Sequence, residues 1–156
     1  MAKIELKPKD KSRRQKFEPG YIFSINMHNG KFGFGRCISK VSIGHIVEIF
    51  NYVSKNQEFT TKITESRMFD PIPIDSYSLI RTSREGDWKV IGKTDNYQPT
   101  NIEDIKYTYG SGPKRKLVDI KGNITEISEN ESKEYPYYSP KGDLDVIEMI
   151  NNSISK

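Results

Sequence analysis

The stretch "GYIFSINMHNGKFGFGR", residues 20–36, constrains the chain more than any other. Apolar residues recur at every second position on both sides of Asn29-Gly30: Tyr21, Phe23, Ile25 and Met27 before it, then Phe32, Phe34 and Ile38 after it. A period of two marks half-buried strands, and Asn-Gly readily takes the positive φ angles of a tight hairpin turn. With Asn29 and Gly30 as that turn, His28 is expected opposite Lys31, Met27 opposite Phe32, Ile25 opposite Phe34 and Phe23 opposite Arg36. This register puts the large apolar side chains on one face. Ser24, Asn26, Gly33, Gly35 and Cys37 then share the other, a face of small side chains. Alternating glycines allow a sheet to coil sharply or another group to approach closely, and coiling is the expectation here.

Further strands follow. "HIVEIFNYVS", residues 45–54, is apolar on both faces, as in a central strand covered on both sides, and Glu48 within it is a natural counter-charge for Arg36. "NQEFTTKITES" reads equally as short helix or loop. Pro71 and Pro73 confine "RMFDPIPIDSYSLIRT" to an edge strand or loop followed by a short turn. "GDWKVIGK" returns to strand with Trp88 and Val90. "DIKYTYG", "KRKLVDIKG" and "NITEIS" are three short segments, the last two a hairpin about Gly122-Asn123. After Pro140 the period lengthens, and Leu144, Ile147, Ile150 and Ile154 fall near one face of a helix over about 143–154, with Asp143 at its start. The fold class is therefore mainly β (α+β): a strongly twisted antiparallel sheet or a small, partly open barrel, with a C-terminal helix packed on it.

At 156 residues the chain fits one domain. Its charge is concentrated at one end. Lys3, Lys7, Lys9, Lys11, Arg13, Arg14 and Lys16 face only Glu5, Asp10 and Glu18, an excess that equals the net charge of +4 of the whole chain. Residues 1–16 are thus expected to be a flexible basic arm on a nearly neutral domain of residues 17–156. No run approaches the roughly 18 consecutive apolar residues of a membrane span. The N-terminus lacks the apolar core of a signal peptide, so a cytoplasmic location is expected.

Catalysis has little to build with. One cysteine, Cys37, and two histidines, His28 and His45, exclude a disulfide framework and leave no multi-cysteine metal site. Gly30, Gly33 and Gly35 lack the dinucleotide-binding spacing, and "GSGPKRK", residues 110–116, lacks the ending and the helix of a phosphate loop. No catalytic residue, metal or cofactor is assigned. Binding surfaces have better material. Lys114, Arg115 and Lys116 lie close to Tyr107 and Tyr109, a pattern that can stack and neutralise nucleic acid. Tyr and Arg are also the residues enriched at protein interfaces, which makes Tyr107, Tyr109, Lys114, Arg115, Tyr137 and Tyr138 the candidate contacts for a partner.

The ordered pieces "PGYIFSINMHNGKFGFGR", "VEIFNYVS" and "GDWKVIG" resemble the bacterial immunity protein 26 family over roughly residues 17–128. The matching positions include Pro19, Gly20, Ile22, Phe23, Gly30, Phe34, Gly35, Arg36, Phe50, Tyr52, Trp88, Ile91 and Gly92. The resemblance implies a small cytoplasmic antitoxin, made beside a polymorphic or contact-dependent toxin and protecting the cell by binding it. It implies neither catalysis nor a cofactor. Gly20, Phe23, Gly30, Phe34, Gly35, Arg36, Trp88 and Gly92 are read as scaffold, because each family member must fit a different toxin. The near-neutral body gives no basis for mimicry of nucleic acid by acidic charge. A small nucleic-acid-binding or regulatory β-domain is the alternative.

Overall fold

The computed structural model of the chain describes residues 4–6, 15–57, 60, 63–64, 66–81 and 87–154. Its strands form two antiparallel sheets. Strands β1 (Ile4–Leu6), β2 (Tyr21–Asn26), β3 (Phe32–Val41), β4 (Gly44–Ser54), β5 (Ile72–Ile74) and β6 (Trp88–Thr94) make the first, in the spatial order β1-β6-β2-β3-β4-β5. Strands β7 (Lys106–Tyr109), β8 (Lys114–Asp119) and β9 (Ile124–Ser128) make the second, in chain order. A π-helical turn (Tyr77–Arg81) follows β5. A short helix α1 (Glu129–Ser132) follows β9, and α2 (Asp143–Ile154) ends the described chain. The sheets do not close into a barrel.

The β2–β3 hairpin forms, but its register differs by one residue from the sequence expectation. Ile22 lies opposite Arg36, Phe23 opposite Gly35, Ile25 opposite Gly33 and Asn26 opposite Phe32. The connection is a five-residue loop closed by Met27 N–H donating to Lys31 O at 3.0 Å, with φ of +60° at His28 and +83° at Gly30. Two asparagines hold this longer loop: Asn26 Oδ1 accepts from His28 N–H and Asn29 Oδ1 from Lys31 N–H.

The slip deals the large side chains to both faces. Phe23, Ile25 and Met27 join Val47, Ile49, Trp88 and Val90 in the main core, covered by α2 through Val146, Ile147 and Ile150. Phe34 turns the other way, against Phe50 and Ile63, with Phe32, Tyr52 and Ile91 around them. The glycines thus share a face with the largest residues of β2. A Cβ on Gly35 would stand 2.6 Å from Phe23 Cζ and 2.5 Å from Glu48 O, and one on Gly33 would stand 3.2 Å from Ile150 Cδ1. Absent side chains make room for Phe23 and for the helix.

α2 buries Val146, Ile147 and Ile150, whereas Leu144 is 77% exposed and Ile154 46%, so the expected face is rotated from the observed one. Trp88 fixes the start of this helix. It stacks on Phe23 with centroids 5.4 Å apart, and its Nε1–H donates to Asp143 Oδ1 at 2.7 Å. Trp88→Phe is expected to lower folding stability by about 2 kcal/mol, the worth of a hydrogen bond to a charged acceptor plus the smaller ring. Urea unfolding followed by far-UV circular dichroism measures it.

The arm expected over residues 1–16 is in part built into the first sheet. Ile4 pairs with Thr94 and Leu6 with Gly92, covering the flank of β6. Gln15 donates to the carbonyls of Ile80 and Trp88 and accepts from Val90 N–H at 2.8 Å. Unsatisfied backbone groups on an edge strand draw in such partners. The basic residues Lys3, Lys7, Lys9, Lys11, Arg13 and Arg14 lie outside the described residues, as does most of "EFTTK".

Candidate protein-binding site

The second sheet stands against the far ends of β3 and β4. Tyr107, Val118 and Ile120 meet Ile38, Val41 and Ile46 in a shared core. Tyr107 is 1% exposed, and its hydroxyl donates to Pro71 O at 2.6 Å, with burial pushing its pKa up. Tyr107 is therefore a core residue that joins the two sheets. That corrects its expected role as a partner contact: a ring paired across β7 and β8 faces whatever its neighbour Val118 faces.

Beside this contact the two sheets leave a space. Between them opens a wedge of about 380 Å³, mostly apolar, lined by Ser42 and Ile43 from the β3–β4 turn and by Tyr109, Val118, Gly122, Ile124 and Tyr138. Tyr109 and Tyr138 lie 5.8 Å apart, centroid to centroid, and Tyr138 also bonds to Ser42, hydroxyl to hydroxyl, at 3.3 Å. Ile124 is 57% exposed at the mouth. The β8–β9 turn is built by Asp119, whose carboxylate accepts from the backbone N–H groups of Lys121 and Asn123 and from the Asn123 side chain. Burial acts to raise the Asp119 pKa, but these bonds outweigh it and hold the carboxyl below its ordinary value.

Of the six candidate contacts, Tyr109 and Tyr138 come together in the wedge. Tyr137 is 55% exposed beside it, and Lys114 is exposed. Arg115 closes its own loop, donating to Gly112 O at 2.9 Å and Gly110 O at 3.1 Å with Glu129 nearby at 3.7 Å. Lys116 is bonded to Glu126 at 2.9 Å. With Tyr107 buried and these cations engaged, residues 107–116 form no stack of aromatics beside a free cationic strip. The sequence reading missed Ser42, Ile43 and Ile124. Ile124 could have been found, since "NITEIS" places an isoleucine directly after a turn at a sheet edge.

The signature residues lie in the first sheet and the turns that border it. Glu48, its side chain 6% exposed, accepts from Arg36 Nε at 3.1 Å, Arg67 Nε at 3.1 Å and the Tyr97 hydroxyl at 3.1 Å. Arg36 also donates to Thr94 Oγ1 and lies over the rings of Tyr97 and Phe50. Arg67 also donates to the carbonyls of Thr100 and Asn101 at 2.7 Å each. The cluster ties the segments around residues 67 and 100 to the sheet, a scaffold role. Gly92 lies within the first sheet opposite Ile22, and the amide of Gly20 donates to Cys37 O at 2.8 Å.

Cys37 is fully buried, and that burial pushes its thiol pKa well above the ordinary value, which favours the protonated form. His45 bonds to Ser76 through Nδ1 at 2.5 Å, and His28 lies 3.7 Å from Asp143 and 3.9 Å from Asp87. Among the described residues no helix is long and apolar enough to cross a membrane, and no three His, Cys, Asp or Glu side chains gather as a metal site.

No curated protein and no solved structure matches the chain. A family model does. Immunity protein 26 matches residues 18–116, which run from just before β2 into β8 and take in the Gly35–Arg36 hairpin, the Glu48 cluster and Trp88. The chain belongs to the immunity protein 26 family.

Proposed function

We propose that this chain is a cytoplasmic antitoxin that binds the toxin domain encoded beside it and neutralises it stoichiometrically, by occlusion and without chemistry of its own. Membership of an immunity protein family carries this reading. The wedge supports it: an apolar cleft with two tyrosines and an exposed isoleucine is the composition of an interface core, and a standard interface needs about 800 Å² on this side. Val118, Ile124 and Tyr138 lie beyond the matched residues, as suits a surface that must differ from one toxin to the next.

Co-expression with the toxic C-terminal domain encoded immediately upstream tests it. Survival of the cells and co-purification of a stable complex are expected. Failure of a folded protein to rescue growth or to hold the toxin overturns the reading.

A further inference from the structure

The wedge ends at a strand edge. Asp119 and Asn123 form a hydrogen-bonded pair, Asp119 N–H donating to Asn123 O at 3.1 Å. Along an antiparallel ladder such pairs alternate with non-bonded ones. In the β8–β9 register, Leu117 with Thr125 and Arg115 with Ile127 therefore exchange the ladder bonds. Ile124 and Glu126 must then point their N–H and C=O groups away from β8, and among the described residues these groups have no backbone partner.

Two other strand edges, those of β7 and β5, are treated differently. The outer side of β7 is covered by residues 136–138: Thr108 N–H donates to Pro136 O at 2.9 Å and Tyr138 N–H to Thr108 O at 2.7 Å. The outer side of β5 is covered by Lys141, which exchanges bonds with Pro73 and Asp75. β9 carries neither proline nor lysine, the usual guards of an edge. Its one charge, Glu126, is engaged by Lys116 across the ladder.

Resting on the toxin-binding reading above, we infer that the toxin docks by adding an extended segment to the outer edge of β9, with one apolar side chain entering the wedge beside Ile124. Backbone groups in a row fit only another extended backbone, and alternate side chains of the added strand face the wedge. Charge selects the occupant. A second copy of this chain in full overlap would set Glu126 against Glu126, like charges directly opposite, which disfavours pairing. Glu131, exposed just beyond β9, extends the preference toward a segment with basic residues.

The test compares Glu126→Pro with Glu126→Ala in titration calorimetry against the same upstream toxin domain, inactivated. Proline removes the outward N–H while leaving the β8–β9 bonds intact, and alanine measures the side chain alone. Glu126→Pro is expected to bind at least about tenfold more weakly than Glu126→Ala. In the unmutated chain, the Ile124 and Glu126 amides are expected to exchange rapidly when free and at least about tenfold more slowly in the complex, read by NMR. Equal affinity of the two variants, with both amides still unprotected in a stable complex, overturns the edge while leaving the antitoxin reading standing. Should Glu126→Pro fail to fold, the exchange measurement decides alone. Absence of any complex with the unmutated chain removes both. A dimer of the free chain that Glu126→Pro abolishes would make the occupant a second copy and overturn the assignment.

Discussion

Glu48→Ala is expected to cost about 3–5 kcal/mol, the penalty for stranding a buried charge whose partner has been removed. Here two partners are stranded. Arg36 and Arg67, with side chains 16% and 19% exposed, both turn their Nε–H toward the one carboxylate. Without it they repel each other beside the ring of Phe50, and the Tyr97 hydroxyl loses its acceptor. The damage should spread along the arginines. Arg67 holds the carbonyls of Thr100 and Asn101, so that loop is expected to loosen with the cluster. Urea denaturation gives the stability change, and amide exchange near residues 97–101 reports the loop. Glu48→Gln should cost less, since its amide oxygen still accepts from one guanidinium. A loss below about 1 kcal/mol for Glu48→Ala would place the arginines in solvent instead.

Gly35→Ala should be nearly as damaging although it adds a single methyl group. The new Cβ would lie 2.5 Å from Glu48 O, which belongs to the neighbouring strand of the same sheet, and 2.6 Å from Phe23 Cζ. A ring can tilt, but a carbonyl in the middle of a six-stranded sheet cannot retreat without pulling its ladder apart. A cost of about 3 kcal/mol is expected, at the upper end for overpacking. Gly33→Ala is the control. The closest atom to its Cβ would be the tip of Ile150 at 3.2 Å, a side chain that can give, so a cost of about 1 kcal/mol or less is expected. Equal melting temperatures for the two variants would contradict a steric role for Gly35.

Much of the architecture was legible in the sequence because its strands alternate and its turns are marked: Gly122-Asn123 delimits β9, Pro140 announces α2, and Arg36 and Glu48 meet as their positions suggest. The hairpin register was not legible. Reading it rested on gathering the large apolar side chains on one face, and here both faces are covered, Phe23 by the helix side and Phe34 by Phe50 and Ile63. Once both faces are apolar, a shift of one residue costs the pattern nothing, and the asparagine side chains that set the longer loop decide the matter. The binding candidates divided for a similar reason. Tyr107 and Tyr109 look alike in "KYTYG", yet one is sealed between the sheets and bonded to Pro71 while the other reaches the wedge. Depth between two sheets belongs to their packing, which no local pattern carries.

Residues 136–141 pin β7 at Thr108 and, four positions after Tyr137, pin β5 at Ile74. This short strap decides how far assembly can run. A sheet with two bare flanks is a monomer for a polymer, because each strand it accepts leaves another flank ready to accept the next. A three-stranded sheet whose first strand is already clasped has a single place for growth. Two copies joined edge to edge through β9 would each have used the one bare flank of this sheet among the described residues, so pairing through it stops at two and does not run on into fibres.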